Sequence, residues 1–76
     1  MQPNKKLNKK LKEFINDYYY DNAALQSEVD CDWLEKNAQD VYENWKIQHQ
    51  ENGYDEWTAA EIAYNNIRKE QGLSTL

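Results

Sequence analysis

Few side chains in this sequence are of types that do chemistry, and their spacing works against each. Cys31 stands just before an expected helix N-terminus, where the helix dipole lowers a thiol pKa and favours the nucleophilic thiolate. Asp30 and Asp32 flank it, and both charges act the other way. The single histidine, His49, lies eighteen residues further on, about 27 Å along one straight helix. A Cys–His nucleophile pair, or a metal shared by the two, would require that helix to be broken. Glu28, Asp30, Asp32 and Glu35 form an acidic cluster. A calcium loop needs a central glycine and a longer ligand series, and neither is present. The cluster reads as a favourable charge at a helix N-terminus, with a weak divalent-ion site as the alternative. No catalytic residue, cofactor or metal site is expected, and the chain does not read as an enzyme.

Charge narrows the partner classes. Lys5, Lys6, Lys9, Lys10 and Lys12 give residues 1–12 a charge of +5 with no acid; the remaining four basic residues and all 14 acids give residues 13–76 a charge of −10. An acidic body repels duplex DNA and suits a partner with a basic surface. The basic first helix could lie on anionic lipid or touch nucleic acid, but lysines opposite an apolar stripe are also the ordinary solvated face of a bundle helix. A helix-turn-helix reading of the last two helices puts Asp55, Glu56 and Glu61 where a recognition helix meets phosphates, with Arg68 and Lys69 at the wrong end. No apolar run is long enough to span a membrane, so no insertion is expected. The lone cysteine fits a cytoplasmic protein.

The elements that must position these residues are helices. Two glycines and one proline leave little turn chemistry, and 39% hydrophobic content is globular rather than disordered. The first helix is predicted over about 5–19, capped by Asn4, with Leu7, Leu11, Phe14, Ile15 and Tyr18 facing inward. Residues 21–29 connect, with a short helical turn near Leu25. The second helix is predicted over about 32–52. Asp32 and Glu35 form its capping box, Leu34, Ala38, Val41, Tyr42 and Trp45 its buried stripe, and Gly53 its stop. The third, about 56–71, starts at Asp55 or Thr58. In the second case Thr58 and Glu61 make the capping box, and Trp57 staples to Ile62. Ala60, Ala63, Tyr64 and Ile67 face inward and Gly72 ends it. The fold expected for residues 1–76 is one all-α domain, a small three-helix bundle with helices two and three as an antiparallel hairpin. Tyr42-x-x-Trp45 and Tyr54-x-x-Trp57 repeat one pattern, read as coincidence rather than a solenoid.

Gly53-Tyr54, followed by Ala59, Glu61, Ile62 and Ala63, after a long helix bearing Ala38, Tyr42 and Trp45, resembles a family of small helical Bacteroidetes proteins known only as a domain of unknown function. The resemblance covers roughly residues 33–68. It implies a bacterial, all-helical protein and no catalytic residues.

Six tyrosines and three tryptophans are a heavy aromatic load, of the kind that suits partly wet contact surfaces. Tyr18, Tyr19 and Tyr20 cannot all face one core. Trp33 and Ile47 fall off the inward stripe of the second helix. The candidate partner surface is therefore Tyr19, Tyr20, Glu28, Asp30, Asp32, Trp33 and Ile47. The leading expectation is a non-catalytic protein-interaction module, an adaptor or regulator. The alternatives are an acidic inhibitor that blocks a basic nucleic-acid-binding groove, and a weak nucleic-acid or membrane-surface binder using the first helix. The tail Leu73-Ser74-Thr75-Leu76 has the form of a PDZ ligand, but a frayed end is the simpler reading.

Overall fold

The computed structural model describes residues 7–76, and these contain helices and no strand. Helix α1 spans Lys9–Ile15 and widens into a π-helical turn over Asn16–Tyr20. Helix α2 is Cys31–Lys36, α3 is Ala38–Lys46 with a second π-helical turn over Ile47–Glu51, and α4 is Glu56–Glu70.

The starts of α1 and α2 follow side-chain caps that differ from the expected ones, whereas α4 starts after Asp55, one of the two expected positions. At α1 the cap is Asn8, whose Oδ1 accepts from the Leu11 amide at 2.8 Å; Asn4 lies outside the described residues. At α2 the cap is Asp30, which accepts from the Trp33 amide at 3.1 Å. Asp32 instead sits inside the first turn, where its charge still favours the dipole. At α4 Asp55 accepts from the amides of Trp57 and Thr58. The helix thus begins at Glu56, Thr58 is inside it, and the Thr58–Glu61 capping box with its Trp57–Ile62 staple does not form the N-terminus.

The expected 32–52 helix is two helices. Asn37 breaks it with φ −112° and ψ 16°. Its side-chain amide donates to the Trp33 carbonyl at 2.8 Å, and its Oδ1 accepts from Gln71 at 3.0 Å. A short amide side chain that bonds its own backbone offers the chain an alternative to the regular ladder.

The ends are glycine-based. Gly72 has φ 76°. The Leu73 amide reaches the Arg68 carbonyl at 2.9 Å and the Gly72 amide the Lys69 carbonyl at 3.0 Å, which is the Schellman pattern. Gly53, at φ 83°, ends α3 in a version one residue wider. The Tyr54 amide bonds the Gln48 carbonyl at 3.1 Å, because the π-helical turn before it already spans an extra residue. The tail is not frayed: Arg68 Nε donates to the Ser74 carbonyl at 2.6 Å and the Leu76 amide donates to Asn65 Oδ1 at 2.8 Å.

The core gathers Leu11, Phe14, Ile15 and Tyr19 from α1 and its π-helical turn, Leu34 from α2, Ala38 and Val41 from α3, and Ala60, Ala63, Tyr64 and Ile67 from α4. Leu25 and Val29 add two side chains from the connection, which is closed by bonds from Leu25 and Gln26 to the Asn22 carbonyl. Ala59, Ala60 and Ala63 are fully buried, so the small face of α4 lets its neighbours approach closely. Tyr42 and Trp45 of the expected stripe are half-buried and pack on the edge of this core.

Candidate interaction surface

The residues expected to form one partner surface are dispersed. Tyr19 leaves it altogether: it is 0% exposed, and its hydroxyl donates to the Ala60 carbonyl at 2.6 Å. The π-helical turn shifts the phase of the chain, so Tyr19 takes an inward position while Tyr18 is half-buried at the edge. Burial first, and the nearby Tyr64 second, hold the Tyr19 hydroxyl far above its ordinary pKa. Tyr20 is half-buried, and its hydroxyl donates to Glu35 at 3.0 Å. Burial, then that carboxylate, push it upward as well. Ile47 is 42% exposed but sits on the π-helical turn of α3, separated from α2 by all of α3, about 14 Å at the usual rise. It lines a shallow depression with Glu43, Lys46, Gln50 and Glu51, all from one helix face.

Glu28, Asp30, Asp32 and Trp33 remain near the α2 N-terminus. Glu28 and Asp32 face solvent. Asp30 and Trp33 serve the fold. Arg68, a buried cation, lies with its guanidinium carbon 4.9 Å from the Trp33 ring centre and 5.4 Å from that of Tyr64. Asp30 is 3.7 Å from its Nη1, an atom with no hydrogen-bond partner among the described residues. The Trp33 indole donates to Gln71 at 2.8 Å, and the Tyr64 hydroxyl accepts from the Asp30 amide at 2.8 Å. These contacts tie α2 to the end of α4.

A second group of aromatics gathers where α1's π-helical turn meets the α3–α4 connection. Trp57 packs on Tyr18 with ring centres 4.7 Å apart, and Tyr18 on Trp45 at 5.2 Å. Trp45 stacks on His49 at 5.5 Å, and its indole donates to the Glu56 carbonyl at 2.9 Å. His49 Nδ1 is 2.8 Å from the Tyr54 carbonyl. A carbonyl only accepts, so that nitrogen carries the proton. Tyr18's hydroxyl is raised by burial first and by Glu56 next, with Asp17 adding to it. Trp57 is 50% exposed and Tyr54 45%. The expected partner surface contains neither, although both stand in the repeated Tyr-x-x-Trp pattern. The signal lay in spacing: from Trp57 the chain steps to Ala60, Tyr64 and Ile67 on one helical face. The ring therefore belongs to the inward stripe, at the point where that stripe runs past the core.

The candidate chemistry does not assemble. Cys31 is an exposed free thiol at the start of α2, whereas His49 is engaged with Trp45 and the Tyr54 carbonyl. Among the described residues no group of three His, Cys, Asp or Glu is arranged to hold a metal, and no helix is long and apolar enough to cross a membrane. All 14 acids are solvent-exposed, while Arg68 is withdrawn from the surface. No protein-family model, curated protein or solved structure matches the chain.

Proposed function

We propose that this chain is a non-catalytic protein-interaction module of the cytoplasm, an adaptor or regulator that docks a basic protein through the aromatic end of the molecule. The observation that carries the reading is the pairing of Trp57 and Tyr54, each about half exposed, with an environment whose charges are acidic. Tryptophan and tyrosine dominate binding energies when a partner desolvates them, and surrounding carboxylates steer a basic partner and suppress acidic ones.

Architecturally we read the domain as a three-helix bundle whose second helix is broken at Asn37. The bonded pairs Asn37–Gln71, Asn44–Asn66 and Trp45–Glu56 run in opposite order along α3 and α4, which supports an antiparallel hairpin. The exposure of every acid favours one second reading, an acidic inhibitor that occupies a basic nucleic-acid-binding groove. The two readings differ in what carries the affinity.

The test is capture of a partner from the native cell, followed by titration of the purified partner against the parent and against Trp57→Ala and Tyr54→Ala at low and high salt. A Kd raised tenfold or more by Trp57→Ala, with modest salt dependence, is the expected result. Affinity that is indifferent to both variants, collapses with salt and is competed by DNA would replace the first reading with the second.

A further inference from the structure

We infer that Trp57 is the receptor for a single cationic side chain, lysine or arginine, presented by a basic protein partner; this rests on the interaction reading and specifies its anchor. Elsewhere three rings receive a cation from the chain itself. Lys10 and Lys46 both lie over Tyr42, at 5.1 and 5.0 Å from the ring centre, and Arg68 lies between Trp33 and Tyr64. Trp57, the most exposed of the large apolar side chains of the core helices, has no such cation over it among the described residues.

Its surroundings suit one. Between residues 47 and 67 the sequence contains Glu51, Asp55, Glu56 and Glu61 and no lysine or arginine; between 13 and 35 it again contains acids and no lysine or arginine. The fold brings these two stretches together at Trp57. Tyr18 packs on the ring, and the Glu56 carboxylate and Asp17 act on the Tyr18 hydroxyl. Asp55 and Glu56 directly precede the ring, and Glu61 follows one helical turn later on the same side. A cation placed over an open indole face gains the ring's quadrupole and, beside carboxylates, their charge. Tryptophan is the strongest ring for this contact.

The probe is a blocked tri-arginine peptide, with tri-glutamate as the control. The readout is the indole N–H signals of the three tryptophans in a nitrogen–proton correlation spectrum, assigned with single Trp→Phe variants. Tri-arginine should move the Trp57 signal most, saturating at about millimolar concentration, and tri-glutamate should not move it. Glu56→Gln with Glu61→Gln should weaken the interaction at least threefold while leaving the three indole signals dispersed as in the parent. Equal movement of Trp33 or Trp45, no saturation, or indifference to the neutralised pair would overturn the inference. Those outcomes are separable from failure of the interaction reading, which falls only if the captured partner's affinity ignores Trp57→Ala and Tyr54→Ala.

Discussion

The two aromatic groups of this protein contain the same kinds of residue in opposite surroundings. At the α2 end, Trp33 and Tyr64 flank Arg68, the Trp33 indole reaches Gln71, and Asp30 both caps α2 and pairs with the guanidinium. The Trp33 indole, the Tyr64 hydroxyl and Arg68 Nε there have hydrogen-bond partners within the chain, and Arg68 Nη1 has only the Asp30 carboxylate at 3.7 Å. At the other end, Trp57 and Tyr54 have about half their surface open, Tyr18 packs on Trp57, and Glu56 and Asp17 act on the Tyr18 hydroxyl. Aromatic content alone therefore does not mark a contact surface. What distinguishes the two ends is whether the chain supplies its own cation to the rings.

The largest effect expected is at high pH, in the layer between the two ends. Tyr19 is held protonated in the folded state by burial, far above its ordinary value of 10.0. A raised folded pKa contributes stability that is complete below the unfolded value and is lost as pH rises above it. The Tyr19 contribution should therefore be flat up to about pH 10 and be lost steeply beyond it. Tyr19→Phe, which keeps the ring and removes the ionisable group, should flatten that fall. Denaturant melts at a series of pH values check this. An unchanged slope would place the alkaline loss on Tyr18 and Tyr20, at the two ends, instead of in the core.

Arg68→Met tests the closed end. It removes the cation between two rings and the bond to the Ser74 carbonyl, and should cost about 2–3 kcal/mol. Asp30 is more than half exposed, so its lost ion pair is screened and adds little. The thermal midpoint should fall by roughly 10–20 °C for a domain of this size. A fall of only a degree or two would mean that the cluster is surface ornament and that the contrast between the ends does not hold.

Gly53→Ala and Gly72→Ala come next. Both residues hold positive φ, and an added Cβ at either meets no atom within 4 Å, so the cost is conformational, about 1 kcal/mol each. A frayed tail would have made Gly72 far more tolerant. The bonds from Arg68 to Ser74 and from Leu76 to Asn65 make the two glycines comparable. Circular dichroism melts at 222 nm that leave only Gly72→Ala unaffected would show the tail undocked in solution.

The sequence disclosed the helices through their periodicity, both glycine stops and most of the core. It did not disclose the break at Asn37, because a lone asparagine within a helical pattern is tolerated unless a partner such as Gln71 fixes its side chain. The π-helical turns were equally hidden. They arise from packing, yet they decide that Tyr19 is buried, so one of the expected surface residues fell on the wrong side of a phase shift, while Ile47 faces out as expected. Trp33 misled for another reason: its partner Arg68 is 35 residues away, and no local spacing connects them. Trp57 was in view as half of a repeated Tyr-x-x-Trp pattern, but its openness depends on where α1 and α3 stop covering α4.

The central claim is that one end binds and the other end holds the fold together, and a crossed comparison tests it most directly. Trp57→Ala and Arg68→Met are each measured for thermal midpoint and, at a temperature where both remain folded, for affinity toward the captured basic partner. Trp57→Ala should raise Kd tenfold or more while lowering the midpoint by only a few degrees, since half the ring is already in water. Arg68→Met should lower the midpoint by the larger amount and leave Kd within about twofold. The reverse pattern, with affinity lost on changing Arg68 and retained without Trp57, would contradict the account.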